Sequence, residues 1–202
     1  MRALKGIVRH WQADSDNTVQ HSLQAEHLLP TDYLADGNFR WRAINQHWPG
    51  PNTVERDWLL TPGSLTRRLL GISAGSFEVR VLEEGWVYRT VRVPGFSSTI
   101  ATKQIMWSRQ VILGGFGESW VAAHTLIPVS SLKGQQRRLL MLGNRPLGGF
   151  LFRQASLRRA EAQICHINNV WGRRSLFFVE DRPLLVAEFF LPDLLRRYQQ
   201  PV

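Results

Sequence analysis

The sequence predicts an α+β fold, an antiparallel sheet with short helices packed against it. Three observations predict it. Apolar stretches with strand character dominate the chain. They are joined pairwise by nearby turn signals, as in hairpins. The helical stretches are short and are cut by proline and glycine.

The elements follow in chain order. The first 37 residues are polar, rich in Gln, His and Asp, and have only a weak apolar pattern. They are read as an extension, with the compact domain over 38–202. Glu55 to Leu60 is a short helical turn, broken by Pro62-Gly63, and Ser64 is suited to cap a second helix from Leu65 to Leu70. Phe77 to Leu82 and Trp86 to Val93 read as two strands. Trp107 to Leu113 and Trp120 to Ile127 flank Gly114-Gly115-Phe116-Gly117, a hairpin whose loop is longer than the tightest type. Ser130 or Ser131 caps a short helix running to about Leu142, and Pro146-Leu147-Gly148 turns into another over Gly149 to Phe152. Ser156 to Ile164 reads as strand. Ser175 to Val179 and Leu184 to Leu191 form a second hairpin, and Asp193 caps a last helix to Gln200.

Composition narrows the function classes. At 44% hydrophobic residues, with eight Trp, the chain is globular and not disordered. No stretch approaches the roughly 18 apolar residues that cross a bilayer, and no apolar segment follows the early charges as in a secretory signal. A single cysteine, Cys165, forms no internal disulfide and suits a reducing compartment. A cytoplasmic protein is expected. The net charge of +9 admits nucleic-acid binding, attraction of a small anion, or a solvated Arg-rich surface. The arginines come as scattered pairs, such as Arg67-Arg68 and Arg173-Arg174, without a zinc-finger or RNP-like string. Nucleic acid is therefore not an expected partner.

Familiar catalytic motifs are missing: there is no GxSxG, no phosphate loop and no HExxH. The six histidines show no ligand spacing, so neither metal nor cofactor is expected. Two charges stand out. Glu188 lies inside Leu184-Leu185-Val186-Ala187-Glu188-Phe189-Phe190-Leu191, apolar on both faces, and a buried carboxylate must be paired, protonated or functional. Arg109 shares a strand face with Trp107, Val111 and Leu113. Two readings fit. The residues form a buried ion pair with each other or with other partners, or they are the anion clamp and carboxylate of a dry pocket.

Several segments resemble bacterial chorismate lyases, in order and with similar spacing. They are Asp57-Trp58-Leu59-Leu60, Ser64-Leu65-Thr66-Arg67-Arg68, Glu84-Gly85-Trp86-Val87, Glu118-Ser119-Trp120-Val121-Ala122 and Ile127-Pro128-Val129-Ser130-Ser131-Leu132. Further on come Leu142-Gly143-Asn144-Arg145-Pro146-Leu147-Gly148, Trp171-Gly172-Arg173-Arg174-Ser175 and Glu188-Phe189-Phe190-Leu191-Pro192. The resemblance implies a six-stranded antiparallel sheet whose helical flaps close an enclosed pocket. It implies a carbon–oxygen lyase that eliminates pyruvate from chorismate to give 4-hydroxybenzoate, the first step of ubiquinone biosynthesis, as a monomer without metal or cofactor. It further implies catalytic roles for Arg109 and Glu188. Arg109 binds a carboxylate, Glu188 faces the ring hydroxyl, and Leu65 and Leu147 complete the binding site through backbone N–H groups. The family often has methionine where Leu65 stands, a change that a backbone contact tolerates. The alternative is a non-catalytic ligand-binding domain of the same fold, as in GntR-type regulators. Glu188 is expected to act as a pocket residue and not as a structural ion-pair partner.

Overall fold

The computed structural model describes residues 40–46, 49–91, 93 and 103–198. The first 37 residues and the end of the expected C-terminal helix at Gln200 lie outside the described residues. The described chain is α+β. Its antiparallel sheet has seven strands: β1 (Glu78–Arg89), β2 (Gln104–Gly115), β3 (Glu118–Pro128), β4 (Arg158–Arg159), β5 (Gln163–Ile167), β6 (Val170–Val179) and β7 (Arg182–Phe190). The order across the sheet is β1-β2-β3-β7-β6-β4, with β5 also pairing β6. One strand more is present than the six expected. It is the two-residue β4, too short to show a pattern.

Among the described residues four α-helices accompany the sheet: α1 (Thr53–Leu59), α2 (Leu65–Ile72), α3 (Leu147–Leu151) and α4 (Pro192–Arg197). Ser64 caps α2 as expected, its hydroxyl accepting from the Arg67 N–H at 3.2 Å. Asn52 caps α1 in a reciprocal box with Glu55. The stretch from Val129 to Met141 is two 3₁₀ segments and not one helix. Ser131 caps neither, because its hydroxyl donates to the Pro183 carbonyl at 2.7 Å. Asp193 does not cap α4; that position is held by Leu191, ahead of Pro192.

Two strand readings change. The stretches expected as two strands, from Phe77 to Leu82 and from Trp86, belong to one strand, β1, which ends at Arg89. The register shifts between Val81 and Glu83, a bulge that absorbs Leu82 and lets pairing continue to Arg89. The β2–β3 loop is of the tightest type. Only Phe116 and Gly117 turn, with φ of 57° and 74°. Gly114 and Gly115 belong to the strand, where a Cβ on Gly115 would lie 2.4 Å from the Trp120 ring. Asn168-Asn169 and Glu180-Asp181 make similar left-handed turns before β6 and β7.

The sheet buries both faces. One carries Met106, Ile112, Ala122, Leu126, Leu185, Ala187 and Phe189, with Trp41 packed against Phe189. On the other face lie two clusters. Trp58, Leu65, Leu69, Val111, Leu113, Ala123 and Phe190 form the first. Ile127, Leu139, Phe150, Leu151, Phe177, Leu184 and Val186 form the second. The space between these two clusters stays open.

Candidate active site

The opening has a floor of short side chains on the central strands. Val111, Ala123, Thr125 and Val186 lie beneath it, and the starts of α2 and α3 cover it with Gly63, Leu65, Thr66, Pro146, Leu147 and Gly148. The space inside it, counted out to its open mouth, is about 560 Å³. The two helix starts touch closely. A Cβ on Gly148 would meet the Thr66 hydroxyl at 2.5 Å, so only glycine permits this approach. The first N–H groups of both helices, at Leu65 and Leu147, have no carbonyl partner inside their helices.

Arg109 enters from β2 and is 3% exposed. The β1 bulge sets Glu84 opposite it in register, and Arg109 Nε donates to Glu84 Oε1 at 2.6 Å. Its Nη2 donates to the Gly143 and Arg145 carbonyls at 2.5 and 3.3 Å. Among the described residues no partner takes Nη1. The guanidinium is thus oriented on two sides, with one nitrogen left for a ligand.

Glu188 enters from β7. It stands opposite Ala123 on β3, whose neighbour on the same face, Thr125, stands opposite Arg109. Arg109 and Glu188 therefore share one face, two strand spacings or about 10 Å apart across the sheet. They do not pair with each other. Glu188 Oε2 accepts from Arg173 Nε at 2.6 Å, which corrects the expectation that Glu188 takes no part in an ion pair. Cross-strand register explains it, since Arg173 on β6 lies directly opposite Glu188 and is 1% exposed. A cation buried that deeply needs a counter-charge. Arg173 Nη1 also donates to the Leu59 carbonyl at 3.0 Å, with Trp58 and Thr61 carbonyls at 3.4 Å, and so closes the end of α1. Glu188 still lines the cavity, and among the described residues nothing takes its Oε1.

A third guanidinium, Arg159, lines the same cavity. Its Nε and Nη2 donate to the Ser175 hydroxyl at 3.0 and 2.8 Å. Burial first, then the Arg173 charge, holds it below the usual arginine range, with Glu188 opposing. It remains a cation in neutral water. The cavity thus gathers three guanidiniums and the Glu188 carboxylate, with Glu84 behind Arg109. That arrangement favours an anionic ligand with a polar group facing Glu188.

The other chemically suggestive groups stand apart. Burial pushes the Cys165 thiol up to about 12, which leaves it a poor nucleophile. His124 sits on the opposite face of the sheet, 2.8 Å from the Ser108 hydroxyl, and burial pushes it down to about 4. Among the described residues no three His, Cys, Asp or Glu side chains are grouped to hold a metal. No helix among them is long and apolar enough to cross a membrane.

Leu65, Arg109, Leu147 and Glu188, singled out from the sequence, all line this one cavity. Glu84, Arg159 and Arg173 were not singled out as site residues. Arg173 had a signal, since it alternates with Trp171, Ser175 and Phe177 on one strand face, as Arg109 does with Val111 and Leu113. Arg159 had none.

A family model described as chorismate lyase matches residues 38–200. A protein named probable chorismate pyruvate-lyase 2, from Pseudomonas fluorescens, is 37% identical over 166 residues, 76% of this chain and 90% of that relative. One named chorismate pyruvate-lyase, from Escherichia coli O17:K52:H18, is 35% identical over 144 residues, 71% of this chain and 86% of its own. Among solved structures, a GntR-family transcriptional regulator from Bacillus cereus aligns with 59% of this chain and 94% of its own, at 10% identity and a TM-score of 0.42.

Proposed function

The chain belongs to the chorismate lyase family, and on that premise we propose that its cavity converts chorismate into 4-hydroxybenzoate and pyruvate. The observation that carries the reading is the placement of Arg109 and Glu188 on one face of the sheet, around one cavity and not bonded to each other. The ring of chorismate carries a carboxylate at C1 and a hydroxyl at C4, para to it. Arg109 Nη1, with the Leu65 and Leu147 N–H groups, receives the ring carboxylate. Glu188 Oε1 accepts from the C4 hydroxyl. The short floor residues leave room for a flat ring beneath the helix starts.

The reaction is an elimination. The bond from C3 to the enolpyruvyl oxygen breaks, and its electron pair leaves on that oxygen. The C4–H bond breaks, and its pair becomes the C3=C4 bond of the aromatic ring. The proton ends on the methylene carbon of the departing group, which is then pyruvate. Aromatisation supplies the driving force, so the protein's work is to hold one conformer, exclude water and stabilise the oxygen that gains charge.

The family resemblance supports placing this step at the start of ubiquinone biosynthesis, in the cytoplasm. The same resemblance supports a monomer, and the scattered arginine pairs support a role without nucleic acid. The names of the relatives favour the lyase over a non-catalytic regulator domain. The test is to mix the purified protein with chorismate and quantify products. Equal amounts of 4-hydroxybenzoate and pyruvate are expected. Tight ligand binding with no pyruvate released would return the chain to the non-catalytic reading.

A further inference from the structure

Chorismate carries a second carboxylate, on the enolpyruvyl ether at C3, and 4-hydroxybenzoate lacks it. A site for this reaction therefore has use for an anion receptor that substrate engages and product does not. We propose that Arg159, supported by Ser175, is that receptor and makes the pocket distinguish substrate from product. The inference rests on the lyase reading above.

Charge pairing singles Arg159 out. Of the three guanidiniums lining the cavity, Arg109 is neutralised by Glu84 and Arg173 by Glu188. Arg159 has no carboxylate partner among the described residues. Both of its hydrogen bonds go to the neutral Ser175 hydroxyl, and Nη1 is not used. A largely buried cation with no carboxylate bonded to it is costly, since the Glu188 charge that acts on it is shared with Arg173. A carboxylate arriving with the substrate offsets that cost.

Position agrees with charge. Arg159 stands opposite Phe177 on β6 and reaches back to Ser175. Ser175 is two residues from Arg173, so the two share a face, and Arg173 is cross-strand neighbour to Glu188. The Arg159 guanidinium thus lies on the Glu188 side of the cavity. There the C4 hydroxyl is held, and C3, which bears the enolpyruvyl group, is its ring neighbour. As the C3–O bond breaks, negative charge grows on the same group, so the contact strengthens toward the transition state.

The experiment sets two ligands against two variants. With Arg159→Gln, kcat/KM for chorismate should fall roughly 10- to 100-fold, as for one lost charge-assisted contact. Affinity for 4-hydroxybenzoate, measured by calorimetry, should stay within about twofold, which also certifies the fold. Ser175→Ala, which leaves the cation in place but unsupported, should show the same selectivity at smaller size. Equal losses for both ligands, or no loss for either, would overturn the assignment. If Arg159→Gln fails to fold, Ser175→Ala decides by the same criterion. Wild-type protein that releases no pyruvate sinks the lyase reading instead, a result separate from any variant.

Discussion

Glu188 and Arg173 face each other across β7 and β6, joined by a 2.6 Å bond from Arg173 Nε to Glu188 Oε2. The same guanidinium holds the last carbonyls of α1. One carboxylate thus both faces the cavity and compensates the cation that fastens a helix to the sheet.

Glu188→Gln should therefore lower stability and turnover together. Gln keeps an acceptor for Arg173 Nε but leaves a buried cation without its counter-charge, a loss on the order of 3 kcal/mol. Chemical denaturation beside single-turnover kinetics measures both. A mutant of unchanged stability would show that the carbonyls of α1 alone satisfy Arg173.

Arg109→Ala should weaken 4-hydroxybenzoate and chorismate alike, by about 2–5 kcal/mol, since both carry the ring carboxylate. Arg109→Lys should recover part, because an ammonium cannot bond Glu84 and a ligand with a planar fork. Equilibrium titration with 4-hydroxybenzoate checks this. Unchanged affinity in a folded Arg109→Ala protein would remove Arg109 from the site.

Ala123 is a short side chain on the cavity floor between Val111 and Glu188. Ala123→Leu should fill the empty volume. Ligand binding should vanish, while stability holds or rises by about 1 kcal/mol. Thermal unfolding and calorimetry distinguish this from a disrupted core, in which both would be lost.

His124 supplies a pH dependence. Burial pushes its pKa down to about 4 from a usual 6.5, so the unfolded chain binds its proton more readily than the folded one. Its contribution to stability is whole above pH 6.5 and is lost as pH falls toward 4, on the order of 3 kcal/mol across that window. Urea unfolding between pH 7 and 4.5 should show this slope in the wild type and a shallower one in His124→Gln. Identical slopes would contradict it.

Local chemistry made much of the fold legible. Ser64 announced its helix, and the apolar frame around Glu188 announced a carboxylate with a purpose. What stayed hidden depended on contacts between distant segments. The partner of Arg109 is Glu84, and only the bulge at Leu82 brings the two opposite each other. Gly114 and Gly115 looked like loop residues, yet they are strand glycines pressed against Glu118 and Trp120. Arg159 lies in a two-residue strand that no periodicity marks.

The pairing of β3 with β7 has a consequence for how the protein assembles. Short turns connect β2 to β3 on one side and β5, β6 and β7 on the other, so each meander closes from neighbouring sequence. Within the sheet, among the described residues, only the β3–β7 seam joins them, and it must wait for a long loop to close. Arg109 belongs to the first meander; Glu188, Arg173 and Ser175 belong to the second. Neither half holds a working site. A bound aromatic acid bridges the seam, so it stabilises the docked sheet over the two separated halves. It should slow the opening of that seam more than the fraying of either hairpin.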